Sequence, residues 1–200
     1  MRKVPRQERS RQMVERIVAA GREVLVRDGY AYFTTNKVAD AADVSPGSLY
    51  QYFPDKAAIV DVIVDRYLEE VSERVAGTLL EASGVDVARD PFTAARSVTA
   101  GLVSALEQDA RLLRIVIDEI PAARIRERRA ALERRIADVL ATYLVVAMSL
   151  APAKASARAW ILVLAIEAVC SRWVLDQPSH LSADGLVDEL SALAIGYLVR

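Results

Sequence analysis

The chain is predicted to be all-α, a small three-helix head followed by a larger helical body, with about nine helices in total. Three observations predict this. Apolar residues recur at three- and four-residue spacing along most of the 200 residues, and the period-two alternation of half-buried strands is absent. Breakers at Gly29, Pro54, 82–91, Pro121, Pro152 and Pro178 cut that pattern into segments of helical length. Between Thr34 and Lys56, two short helical stretches are separated only by Asp43-Val44.

The first helix runs from about Ser10 to Asp28, with Val14, Ile17, Val18, Ala20, Val24 and Leu25 on one stripe, and Gly29 stops it. Thr34 caps the second helix, whose Val38, Ala39 and Ala42 fall at helical spacing. Asp43-Val44 forms the turn, with Val44 expected to be buried between the helices. Ser45 caps the third helix, and Pro46 takes its first position, where a missing N–H costs nothing. Two helices joined so tightly cross steeply and project the second outward, the geometry that enters a DNA major groove.

A fourth helix starts at the cap Asp55 and continues through Ile59, Val60, Val62, Ile63, Tyr67 and Leu68 to about Leu80, linking head to body. Residues 82–91 form the clearest loop. Asp90-Pro91 then supplies cap and first position for a fifth helix over 91–108. A short sixth helix, Arg111 to Ile120, is expected to follow a cap at Asp109 and to end at Pro121. The seventh spans about Ala122 to Leu150. Ile125, Leu132, Ile136, Leu140, Tyr143, Leu144 and Ala147 make its apolar face, and Arg124, Arg126, Arg128, Arg129 and Arg135 a solvated one. The eighth, about Lys154 to Asp176, is apolar nearly all round and is expected to be buried on every side. Ser182 caps a ninth helix ending near Val199, with Leu186, Val187, Leu190, Leu193, Ala194, Tyr197 and Leu198 on a broad apolar face.

Composition narrows the function. An apolar share of 53 % beside 26 % charged residues fits a soluble globular chain with surface left to bury in a partner subunit. No apolar run approaches the roughly 18–20 residues that span a bilayer, so no membrane segment is expected. The start Met1-Arg2-Lys3-Val4-Pro5-Arg6 is basic, but no apolar stretch follows it, so a secretory leader is not expected. One cysteine, Cys170, allows no intrachain disulfide and suits a reducing cytoplasm. With a single His as well, neither a metal site nor a cofactor is expected. The net charge of −1 hides an asymmetry. Residues 1–56 hold ten Lys/Arg against seven Asp/Glu, and 57–200 hold sixteen against twenty. The basic excess lies in Arg2, Lys3, Arg6, Arg9 and Arg11, suited to phosphate contact ahead of a helix–turn–helix.

The head resembles the tetracycline-repressor (TetR) family of transcriptional regulators. The resemblance is carried by Gly29-Tyr30, Thr34-Thr35, Val38-Ala39, Ala42, Val44-Ser45, Gly47-Ser48-Leu49-Tyr50, Tyr52-Phe53 and Asp55-Lys56. It departs at Asp43, where the family usually has Gly; Asp tolerates a left-handed backbone better than most residues, so the turn is expected to form. Carried over position by position, the resemblance implies base contacts at Thr35, Asn36, Pro46, Gly47, Ser48 and Tyr50. It implies phosphate contacts at Thr34, Tyr52 and Lys56. Since Pro46 and Gly47 cannot read base edges with side chains, specificity is expected to lean on Asn36, Lys37, Ser48, Tyr50 and DNA shape.

The resemblance also implies a small-molecule inducer site in the body. Charged or aromatic residues on otherwise apolar helices are the candidates: Arg114, Asp118, Tyr143, Trp160, Glu167 and Trp173. Glu167 needs a partner or a shifted pKa among its apolar neighbours; Arg172, or an Arg from another helix or subunit, would supply one. Trp160 and Trp173 also fit as ordinary core residues. Residues 1–56 are thus expected to form the DNA-binding domain and 57–200 a ligand-binding and dimerisation domain. The whole is expected to be a cytoplasmic regulator, a repressor that binds a palindromic operator in double-stranded DNA. It is expected to act as a homodimer joined through helices eight and nine. An α-helical enzyme or small-molecule carrier with an incidental helix–turn–helix is the alternative, disfavoured by the lack of a nucleophile–base pair or a phosphate loop.

Overall fold

The computed structural model describes residues 6–83 and 90–198. Among them are nine α-helices: α1 (Arg6–Asp28), α2 (Thr35–Ala41), α3 (Pro46–Tyr50), α4 (Lys56–Ser83), α5 (Pro91–Gln108), α6 (Ala110–Arg114), α7 (Ala122–Met148), α8 (Pro152–Asp176) and α9 (Ala183–Leu198). A π-helical turn, Ile115–Glu119, continues α6 directly. The centre of the loop expected at 82–91 lies outside the described residues, as do Arg2 and Lys3 of the basic arm. No helix among the described residues is long and apolar enough to cross a membrane.

The chain forms two compact units. The first holds residues 6–67 together with Arg114–Ile125; the second holds 68–113, apart from 84–89, and 126–198. In the first unit the helical stripe read from the sequence becomes the core. Ile17, Val24 and Leu25 of α1, Phe33, Val38 of α2, Leu49 of α3 and Ile59 of α4 are wholly inaccessible to solvent. Gly21 permits the close packing of α1 on α4, because a Cβ there would stand 2.9 Å from Ile59 Cγ2. Across that pair, the guanidinium of Arg66 donates to both carboxylate oxygens of Glu15 at 2.6 Å.

The second unit packs α5 against α8 and α9. A core of small residues, Ala137, Ala141, Ala155, Ala159 and Ala194, gathers with Leu144, Leu162 and Leu198 where α7, α8 and α9 meet. Arg96 on α5 ties α9 through Asp188 at 2.6 Å and Asp184 at 3.4 Å. The buried Arg158 donates to the carbonyl of Leu198 at 2.6 Å and lies against the Tyr197 ring, holding the C-terminal end of α9.

Two expectations are corrected here. Helix α8 is not buried on every side within one chain: Trp160, Ile161 and Val169 are exposed on it. The arginine face of α7 is not simply solvated either. Arg124 reaches Asp61 at 3.1 Å, and Arg129 reaches Glu167 at 3.0 Å. Both carboxylates lie far away in sequence, so helical spacing alone could not reveal them.

Candidate nucleic-acid interface

The turn between α2 and α3 is built by two interlocking hydrogen bonds. Asp43 N–H donates to Asp40 O at 3.2 Å, and Val44 N–H donates to Ala39 O at 3.0 Å. That pair of bonds is the Schellman pattern, which requires a left-handed residue just past the helix end. Asp43 supplies it, with φ of +51°. Val44 follows, half-buried rather than enclosed between the helices as the sequence suggested. Ser45 then caps α3, its hydroxyl accepting from Ser48 N–H at 3.1 Å, with Pro46 at the first helical position. Thr34 caps α2 in the same way, accepting from Lys37 N–H at 3.3 Å. These caps hold both short helices in place, which five and seven residues could not do by propensity alone.

On this frame, Leu49 and Phe53 turn inward while Pro46, Gly47 and Tyr50 are exposed. The hydroxyl of Tyr50 lies 3.0 Å from Thr35 Oγ1, so the two helices present one polar patch. Asn36 and Thr34 are exposed beside it, and Ser48 and Tyr52 are half-buried. Ser48 shares a 2.9 Å hydrogen bond with Ser45 Oγ.

Lys37 is placed differently from its neighbours. Its ammonium donates to Asp28 Oδ2 at 2.7 Å and to the Tyr32 carbonyl at 3.1 Å, so it clasps the α1–α2 corner. Asp28 is also held by Arg27 at 2.7 Å. The Arg27 guanidinium first, and the Lys37 ammonium second, hold the Asp28 carboxyl well below the usual carboxylate range. Lys56 opens α4 just after Asp55, whose carboxylate accepts from Ala58 N–H at 2.8 Å. The Lys56 ammonium sits 5.0 Å from the centre of the Tyr30 ring. Sequence reading missed Asp28, Tyr32 and Glu119. Glu119 accepts a 2.7 Å hydrogen bond from Tyr30 N–H across 89 positions, and no local pattern announces such a contact.

The six candidates for a ligand site do not share one location. Arg114 and Asp118 belong to the first unit and form an exposed i,i+4 pair at 3.9 Å. Tyr143, Trp160, Glu167 and Trp173 belong to the second. Glu167 is engaged by both Arg129, at 3.0 and 3.1 Å to its two oxygens, and Ser171 Oγ at 3.0 Å. Arg172 pairs with Asp176 instead. Trp173 is buried and donates its indole N–H to Leu181 O at 2.9 Å, whereas Trp160 is 54 % exposed and is no core residue of this chain. Tyr143 packs against the small-residue core, and burial pushes its phenol upward in pKa. Among the described residues no three His, Cys, Asp or Glu side chains are grouped so as to hold a metal ion.

A short helix presented on a capped left-handed turn, with its leading residues exposed, defines a helix–turn–helix DNA-binding protein. Residues 17–63 match the family described as bacterial regulatory proteins, tetR family, and residues 90–198 match the tetracyclin repressor-like C-terminal domain. The chain belongs to the TetR family and is a DNA-binding transcriptional regulator. Solved structures share its fold. The fatty acid degradation regulator FadR of Bacillus halodurans matches at 17 % identity and TM-score 0.67, covering 98 % of this chain and 97 % of that one. A TetR/AcrR-family regulator of Thermobifida fusca matches at 20 % identity and 0.66, covering 92 % and 97 %. NalD of Pseudomonas aeruginosa, the secondary repressor of the MexAB-OprM multidrug efflux pump, matches at 18 % and 0.62, covering 94 % and 96 %.

Proposed function

We infer that this regulator is a repressor that binds a palindromic operator as a homodimer and leaves it when a small molecule binds the second unit. The observation that carries the DNA reading is the exposed leading turn of α3, with Tyr50 hydrogen-bonded to Thr35 on a frame fixed by two caps. Base contact is assigned to Thr35, Asn36, Pro46, Gly47, Ser48 and Tyr50, and phosphate contact to Thr34, Tyr52 and Lys56. Lys37 supports them by bracing the corner rather than by reading bases. The repressor assignment is supported by NalD, itself described as a repressor, on the same fold.

Pairing through α8 and α9 is supported by the exposed row Trp160, Ile161, Ala165, Ala168 and Val169 on α8 and by Leu193 on α9. These recur at three- and four-residue steps, and a second copy would cover them as a four-helix interface. Most of the remaining apolar face of α9 is already covered within the chain, including Leu186, Val187, Leu190, Ala194 and Leu198. α8 therefore supplies the larger share. Among the ligand candidates, Tyr143 is partly buried against the core where α7, α8 and α9 meet. Trp160 and Trp173 are retained as reporters. Arg114 with Asp118, and Glu167, would have to exchange their present ion pairs for ligand contacts.

The mechanism is linkage: a ligand and DNA that prefer different conformations lower each other's affinity, and about 1–3 kcal/mol of coupling changes operator affinity roughly 5–150-fold. The test is selection of bound duplexes from a random pool, followed by retardation assays on the recovered sequence. A palindromic consensus is expected, with binding abolished by Tyr50→Ala at unchanged helicity. Compounds that release the duplex should quench Trp fluorescence in parallel. Recovery of no specific sequence, or full affinity in Tyr50→Ala, would defeat the assignment.

A further inference from the structure

The segment from the π turn to the start of α7 does more than continue the chain, for it grips residues 6–67 of the same unit at two places. Arg124 Nη1 holds both oxygens of Asp61, five residues into α4, at 3.1 and 3.2 Å. Glu119, at the end of the π turn, reaches the corner that follows α1, where Oε2 accepts the Tyr30 N–H at 2.7 Å. The approach needs the glycine beside it. Gly29 has φ of +78°, and a Cβ built on it would lie 2.7 Å from the same Glu119 oxygen. A charged acceptor on one backbone N–H makes a strong hydrogen bond, and it fixes the orientation of the Gly29–Tyr30 peptide. That peptide sets where the Tyr30 side chain leaves the backbone. The Tyr30 ring in turn carries the Lys56 ammonium 5.0 Å from its centre.

We propose that Glu119 is a positioning residue for DNA binding, acting through Tyr30 to hold Lys56 where it meets a phosphate. This rests on the phosphate role given to Lys56 above. A lysine ammonium on a flexible stem samples many rotamers, and one held against an aromatic face stays where it neutralises the phosphate, so freeing it forfeits the contact and the counterion released there. Glu119 touches no DNA in this scheme. It acts at a distance of one peptide and one ring, from a segment 63 positions along the chain from Lys56.

The test measures affinity for a duplex of about 30 base pairs of arbitrary sequence, long enough for two half-sites, as a function of salt. Phosphate contacts release counterions whatever the sequence, so Lys56→Ala, which removes one contact from each subunit of the dimer, should lower the slope of log K against log[salt] by about 1.8 and weaken binding about thirtyfold at 0.15 M salt. Glu119→Ala should produce much of the same loss in slope, while Glu119→Gln, which keeps a carbonyl acceptor for Tyr30 N–H, should restore it. The double variant Glu119→Ala/Lys56→Ala should bind no more weakly than Lys56→Ala alone, since both remove the same contact. A role in stability alone would shift melting and leave the slope untouched. If Glu119→Ala does not fold, Tyr30→Leu decides, because it removes the ring and keeps the backbone N–H; it too should lower the slope. An unchanged slope in a folded Glu119→Ala, or fully additive losses in the double variant, overturns the proposal while the phosphate role of Lys56 stands. An unchanged slope in Lys56→Ala overturns that role and the proposal with it.

Discussion

Asp43 is the residue whose replacement best tests how the recognition turn is built. Its φ of +51° places an L side chain in the left-handed region, and the Asp43 and Val44 N–H groups close the turn onto α2. The left-handed conformation costs about 1–2 kcal/mol for most residues and less for Asp, whose short side chain can bond locally. Glycine removes that cost but frees the unfolded chain by about 0.5–1 kcal/mol. The two effects nearly cancel, so Asp43→Gly should melt within about 2 °C of the parent. Valine has no such escape: its branched side chain carries the full penalty, and about 2 kcal/mol in a chain of this size lowers the melting temperature by about 4–8 °C. Asp43→Asn should keep the turn and melt close to the parent. It should also bind DNA more tightly, having lost a negative charge at the edge of the recognition surface. Circular dichroism melts, with DNA retardation on the same samples, measure all three. Should Asp43→Val melt with the parent, or Asp43→Gly fall as far as Asp43→Val, the left-handed turn is not what holds α3 in place.

Leu193→Arg or Ala168→Arg, at exposed positions on α9 and α8, should shift sedimentation from dimer toward monomer with little change in head folding; a stable parent monomer at micromolar concentration would refute the pairing. Cys170 is fully buried, and burial first, with the Glu167 carboxylate second, pushes its thiol pKa up to about 12. The native protein should therefore resist alkylation at pH 8 and react fully in urea. The lowered pKa of Asp28 predicts a pH dependence of definite sign. Its ion pairs stabilise the fold fully above the ordinary Asp range, about 3.9, and that contribution is lost as pH falls toward the depressed folded value. Asp28→Asn should thus be less stable than the parent in urea at pH 7, with the gap narrowing steadily below about pH 4. A gap of constant size would refute the network around Lys37.

Elements that local chemistry controls were legible in the residues alone. Thr34, Ser45, Asp55, Asp90 and Ser182 each accept the expected capping bond, because a cap needs only the three residues that follow it. Gly29 ends α1, and Leu49 and Phe53 turn inward, for the same reason: helical period and left-handed tolerance are written within one or two turns. The exposed face of α3 was legible on that basis. Tertiary structure decided what depends on residues brought together from far apart. Lys37 reads in sequence as one of the residues on which DNA specificity leans, and only the fold brings Asp28 and the Tyr32 carbonyl onto its ammonium. Glu167 reads as a carboxylate that needs an arginine, yet only the fold selects Arg129, 38 positions earlier, over the nearby Arg172. Helix α8 reads as enclosed, yet one copy of the chain leaves Trp160, Ile161 and Val169 in the open. Periodicity shows which face of a helix is apolar. What that face packs against, and which carboxylate an arginine finds, is set only when distant segments meet in the fold.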